Sequence, residues 1–127
     1  MAKDIATLAT EFKAMHIPGK PFILANAWDL GSAQMLMALG AKALGTTSAG
    51  FAFTLGRDDM GSVTREEAIA HAKDILTATN APVSGDLENG YGHSPDDVAQ
   101  TIRDASEAGL AGCSIEDTML PDATPYD

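Results

Sequence analysis

Pro82-Val83-Ser84-Gly85-Asp86-Leu87-Glu88, followed by Asn89-Gly90-Tyr91-Gly92-His93 and then Ser94-Pro95-Asp96-Asp97, is the stretch whose reading decides the fold. An apolar run of strand length ends in acids and glycines. It gives way to an N-cap serine, a proline in the first helical turn and an acid facing the positive end of a helix. Asn89-Gly90 is also a hairpin signature, but the capped helix that follows fits a strand-to-helix loop. Downstream, Val98, Ile102 and Ala105 carry that helix to Gly109, and Leu110 to Asp117 reads as a further strand. Upstream, Thr64-Arg65-Glu66-Glu67 is a capping box, and Ala68, Ile69, Ala72, Ile75 and Leu76 predict a helix over about 64–79.

The same alternation continues toward the N-terminus. Ala43 to Ser48 and Phe22 to Ala27 are short apolar runs of strand character. Asp29 is placed to cap a helix through Ala33, Leu36 and Met37, ended by Gly40 where a left-handed residue is favoured. Ile5, Leu8, Phe12 and Met15 form the stripe of a leading amphipathic helix. Ala49 to Gly61, Gly-rich but carrying Phe51, Phe53 and Leu55, reads as a long functional loop. The order is helix, then βα three times, then β. Such alternation predicts an α/β protein with right-handed crossovers and a parallel sheet. The pattern leaves open whether the sheet is doubly wound or closed into a barrel; both place their sites at the carboxyl ends of the strands.

Composition narrows the partners. The 127 residues are 45% hydrophobic and 20% charged, one globular domain without linker or internal repeat. Eighteen acids against eight bases give a net charge of -10, with the bases scattered, which argues against a nucleic-acid or anionic-membrane surface. No apolar run approaches the roughly 18 residues a membrane span needs, and the N-terminus lacks signal-peptide character. With Cys113 as its lone cysteine, the chain has no disulfide framework or cysteine metal cluster. A cytoplasmic protein is expected.

The strand ends collect the chemistry. Asn26 and Asp29 follow the first; Thr46, Thr47 and Ser48, then Asp58 and Asp59, follow the second; Asp86, Glu88 and Asn89 the third; Glu116 and Asp117 the fourth. In a parallel sheet these ends share a rim, so several carboxylates converge with Arg57 alone as a nearby base. Such a cluster calls for a divalent cation, and oxygen-only donors suit Mg²⁺ or Mn²⁺. Asp86 and Glu88, two apart on one strand and bracketed by glycines, are the expected direct ligands, with Asp59 and Glu116 reached directly or through water. Asp29 and Asp96 read as helix caps, His93 as a solvated loop residue, and Cys113 as core packing within a strand. His16 and His71 lack partners at metal-ligand spacing.

These segments carry a resemblance. Asn26-Ala27-Trp28-Asp29, Thr46-Thr47-Ser48-Ala49-Gly50-Phe51-Ala52, Leu55-Gly56 through Asp59, Asp86 through Gly92 and Ala111-Gly112-Cys113-Ser114-Ile115-Glu116-Asp117 together resemble the isocitrate lyase/phosphoenolpyruvate mutase superfamily, in order and along essentially the whole chain. The resemblance implies a TIM (β/α)8 barrel with a leading helix, a Mg²⁺ site, a bound 2-oxo acid or its enolate, and a homo-oligomer. It places Asp59, Asp86, Glu88 and Glu116 on the metal-shell positions, Glu88 standing where lyase members usually have Asp. It places Thr46, Thr47 and Ser48 on the segment that holds the substrate's carboxylate and carbonyl oxygens; Asn89 joins them as a substrate-binding candidate.

Two departures shape the expectation. Lyases of this superfamily carry a Lys-Cys-Gly-His type motif just after the Ile-Glu-Asp strand, whereas Thr118 to Tyr126 has no Cys, His or Lys. The chain therefore resembles the phosphonomutase-like branch more closely. A complete barrel also needs about 250 residues, so residues 1–127 read as the N-terminal half of one barrel domain, expected to be dimeric, aggregated or loosely packed by itself. The expected function is a Mg²⁺-dependent lyase or mutase acting on a small 2-oxo acid or phosphonate through an enolate-like intermediate. The rival is a non-catalytic half-barrel that self-associates and binds a divalent cation without turnover.

Overall fold

The computed structural model describes residues 4–122 and Thr124; Met1 to Lys3, Ala123 and the last three residues, including part of the Thr118 to Tyr126 stretch, lie outside it. Four parallel strands, β1 (Ala25–Asn26), β2 (Leu44–Gly45), β3 (Val83–Asp86) and β4 (Gly112–Ser114), form one sheet in the order β1-β2-β3-β4. Ala25 lies opposite Leu44, Leu44 opposite Val83, and Asp86 opposite Ser114. The order follows the sequence without a reversal. A doubly wound sheet reverses at its switch point, so the four strands match a segment of barrel wall.

Five helices accompany the sheet: α1 (Ile5–Met15), α2 (Leu30–Ala38), α3 (Ser48–Thr54), α4 (Arg65–Leu76) and α5 (Pro95–Ala108). Their starts follow from the cap residues. Asp29 takes the Ser32 N–H at 2.6 Å, and Thr64 and Glu67 exchange bonds at 3.2 and 2.9 Å. Ser94 and Asp97 close the third capping box, with Pro95 in the first turn of α5. Gly40, at φ +95°, ends α2 as its sequence position predicts, because a side chain there would be strained.

The core sits between the sheet and α4 and α5. Leu44, Ile75, Val83 and Leu87 are fully buried, with Ile69, Ala72, Ala105 and Leu110 packed around them. Burying each of the larger side chains is worth about 1.5–3 kcal/mol, enough to hold strands only two to four residues long. A second, smaller cluster joins Ala52 of α3 to Val63 and Ala68, and so fastens the region after β2 onto α4.

Three expectations are corrected. The strands are shorter than their apolar runs, because Glu88 and Ser48 already belong to turn and helix. The stretch from Ala49, read as loop, begins as helix α3, held by its Thr47 cap and by Ala52, which has no exposed surface. Cys113 is exposed on the edge strand β4 instead of packed in the core. It pairs with Gly85 on one side, and among the described residues no strand lies on the other.

Candidate active site at the strand ends

The C-terminal ends of β2 and β3 are tied together through Asp86. Its N–H donates to Thr46 Oγ1 at 2.8 Å, and its Oδ2 accepts both the backbone N–H and the hydroxyl of Ser48 at 3.0 Å. Thr46 is itself buried, its carbonyl accepting Asn26 Nδ2 at 2.7 Å. Thr47 uses its hydroxyl to cap α3, accepting Gly50 N–H at 3.2 Å. The Thr46-Thr47-Ser48 segment thus serves the protein with its hydroxyls while it lies beside the carboxylates.

Glu88 sits just past the end of β3 in the left-handed region, φ +47°, and is 3% exposed. A non-glycine residue there is strained, a condition that concentrates at functional sites. Its Oε2 accepts Gly61 N–H at 3.1 Å, and its carbonyl accepts Glu116 N–H at 2.7 Å. Burial pushes the Glu88 carboxyl above the ordinary range, and the negative charges of Asp59, Asp86 and Glu116 push it the same way, against the Gly61 bond. Glu88 therefore feels the other three predicted acids. Asp59 Oδ1 is buried with no hydrogen-bond partner among the described residues, an unusual state for a carboxylate oxygen.

Asn89 is buried, and its Oδ1 accepts Tyr91 N–H at 3.1 Å, which folds the Asn89-Gly90-Tyr91 turn. A cleft of about 450 Å³ opens beside Glu88 and Asn89, bounded by Gly61, Arg65, His93 and Leu120. Another of about 510 Å³ lies on the far side of Asn89 toward Glu116 and Asp117. Both are of small-ligand size.

The donors fit a water-rich cation. Among the described residues no three His, Cys, Asp or Glu side chains stand close enough to hold one ion between them. Mg²⁺ needs no such cage, because it keeps several waters and takes one or two carboxylates directly. The buried Asp59 Oδ1, without a partner among the described residues, and the neighbouring Glu88 suit that habit.

Two features escaped the sequence reading. Arg57, the one base beside the acids in the sequence, bonds Glu67, with Nη1 at 2.9 and 2.8 Å from its two carboxylate oxygens. His71 stacks on Phe51 with ring centroids 3.9 Å apart, and its Nε2 meets the Trp28 carbonyl at 2.9 Å. Phe51 and His71 are twenty positions apart on different helices, so no local pattern announces their contact.

Comparisons with known proteins identify the family. The sequence model of the phosphoenolpyruvate phosphomutase family matches residues 12–125. The crystal structure of a candidate lyase/mutase from Burkholderia cenocepacia J2315 superposes with a TM-score of 0.91 at 44% identity, over 97% of this chain and 44% of that one. A 2-methylisocitrate lyase of Halalkalibacterium halodurans is 33% identical over 121 residues, 95% of this chain and 38% of the lyase. An oxaloacetate decarboxylase of Chromohalobacter salexigens is 32% identical over 116 residues, 90% of this chain and 40% of the decarboxylase. The chain thus spans about two fifths of the length of the relatives it matches. With the family match running from α1 past β4 and through every acid of the cluster, the chain belongs to the phosphoenolpyruvate phosphomutase family of the isocitrate lyase/phosphoenolpyruvate mutase superfamily.

Proposed function

We propose that these residues form the cation-binding side of an active site that makes or breaks a C–C or P–C bond next to the carbonyl of a small 2-oxo carboxylate. The chain would supply the first half of a (β/α)8 barrel whose other half completes the site, in a homo-oligomer. What supports the reading is Glu88, buried just past the end of β3 and acted on by the charges of Asp59, Asp86 and Glu116, together with Asp59 Oδ1, which has no hydrogen-bond partner among the described residues.

Asp86 and Glu88 would hold a Mg²⁺ or Mn²⁺ ion, with Asp59 and Glu116 bonded to its waters. Bound there, the cation supplies Lewis-acid polarisation of the substrate's 2-oxo and carboxylate oxygens, which favours an enolate-like intermediate. The chain's own residues orient the reactants. Ser48 and Thr46 fix the Asp86 carboxylate, and the Thr46 to Ser48 backbone, with Asn89, faces the substrate carboxylate. The proton donor and acceptor are not among the residues assigned. The oxaloacetate decarboxylase relative is named for a small 2-oxo acid, which supports the substrate class.

The test is calorimetric titration of Mn²⁺ into the full-length protein. Asp86→Asn is expected to weaken binding at least tenfold, about 1.4 kcal/mol; equal affinity in the variant would remove Asp86 from the site. A turnover screen of 2-oxo acids and phosphonates with Mg²⁺ then identifies the bond broken.

A further inference from the structure

Arg57 begins the turn that leads from α3 to α4, and that turn carries two of the groups around Glu88: the Asp59 carboxylate and the Gly61 N–H. The turn is not self-supporting. Gly56, Met60 and Gly61 all have positive φ, at +67°, +73° and +86°, and Met60 gains nothing from that conformation by itself. Ties to its surroundings must hold it, and those to α3 and α4 meet at one residue, Arg57.

The Arg57 N–H donates to Ala52 O at 3.0 Å, which fixes the near end to α3. Its Nη1 donates to Ser62 O at 3.3 Å and to both oxygens of Glu67, at 2.9 and 2.8 Å, which fixes the far end to α4. Between them the Ser62 hydroxyl donates to the Asp58 carbonyl. A surface ion pair is ordinarily worth little because two long side chains must be ordered to make it. Here Glu67 is already ordered, its Oε2 accepting Thr64 N–H at 2.9 Å in the capping box of α4. Arg57, with the Thr64 N–H, holds the Glu67 carboxyl down at about 2.

We propose that Arg57 is a positioning residue that clamps the 57–62 turn between α3 and α4 through Glu67, and so places Asp59 and the Gly61 N–H against Glu88. Its charge serves the acid cluster by geometry. The consequence for cation binding rests on the function proposed above; the clamp itself does not.

Amide hydrogen exchange on the full-length protein reads the clamp without any metal. Arg57→Gln and Glu67→Gln are each expected to speed exchange of the 58–62 amides at least tenfold. Arg57→Lys, which keeps one charged donor, should restore most of the protection. Arg65→Gln, which removes a neighbouring ion pair with Asp104 at 3.2 Å, should leave the same amides within twofold of wild type. Unchanged exchange in both Arg57→Gln and Glu67→Gln would overturn the clamp, as would equal loss in Arg65→Gln. Mn²⁺ titration of the same proteins should show several-fold weaker binding in Arg57→Gln. A wild type that binds no Mn²⁺ sinks the functional reading instead, and leaves the exchange result to stand on the clamp.

Discussion

Ser48 grips Asp86 with two donors at once, its backbone N–H and its hydroxyl both 3.0 Å from Oδ2. The bond crosses from the start of α3 to the end of β3, so a helix unforeseen in the sequence orients the carboxylate on which the proposed site centres. Asp86 Oδ1 is left with one long contact, from Glu88 N–H at 3.4 Å.

Ser48→Ala removes the hydroxyl and keeps the N–H. Because a hydrogen bond to a charged acceptor is worth about 1.5–3 kcal/mol, urea unfolding should show a loss near the lower end of that range. The loss should shrink when Asp86 is already Asn, since the two residues are in contact. Additive losses in the double variant would mean that the hydroxyl acts elsewhere.

The raised Glu88 carboxyl gives stability a definite slope with pH. A carboxyl with a folded pKa above its unfolded value binds its proton more tightly in the native state, so the penalty is absent below the unfolded value of 4.5 and grows as pH rises through the higher folded value. Glu88→Gln should therefore raise the melting temperature of the metal-free protein at pH 7 by about 4 °C, roughly what 1 kcal/mol gives in a domain of this size. At pH 4 the gain should vanish. A variant that melts lower at pH 7 would show that the buried charge is compensated.

His71 slopes the other way. Burial holds its pKa below the ordinary 6.5, against the Trp28 carbonyl bond, which favours the charged ring. The unfolded chain thus protonates first as pH falls, and stability is lost from about 6.5 downward until the folded ring also charges. His71→Phe keeps the stacking partner for Phe51 and gives up the Trp28 bond. Thermal melts should show it about 1 kcal/mol less stable at pH 8, with a smaller deficit at pH 5. A constant deficit across that range would remove His71 from the titration.

Gly92→Ala tests the turn that delivers Asn89. A Cβ at Gly92 would lie 2.3 Å from Asp97 Cβ and 2.5 Å from its Cγ, and Asp97 is the residue that closes the cap of α5 with Ser94. Losing the cap costs about 1 kcal/mol and relieving the overlap another 1–3, so a drop of about 3 kcal/mol is expected in chemical denaturation. A loss under 1 kcal/mol would show that the turn shifts freely.

The parallel order and the caps of α2, α4 and α5 were legible because caps and strand-to-helix turns are local: Asp29 with Ser32, Thr64 with Glu67, and Ser94 with Asp97 lie three residues apart. That Glu88 lies within reach of the charges of Asp59, Asp86 and Glu116 accords with a parallel sheet, which puts its strand ends on one side. Helix α3 was not legible, since Ser48–Thr54 reads SAGFAFT, poor in strong helix formers; it stands on the Thr47 cap, on buried Ala52 and on the stacking of Phe51 with His71. The bond of Arg57 to Glu67 was not legible for a similar reason: it joins residues ten positions apart across the chain reversal at Met60 and Gly61.

The backbone at Glu88 sets comfort against charge. Asn or Gly would relax a φ of +47° and remove a buried acid in one substitution. A library selected for heat resistance alone should therefore abandon glutamate at position 88 early, and the variants that survive the hottest challenge should be those that have lost the most activity.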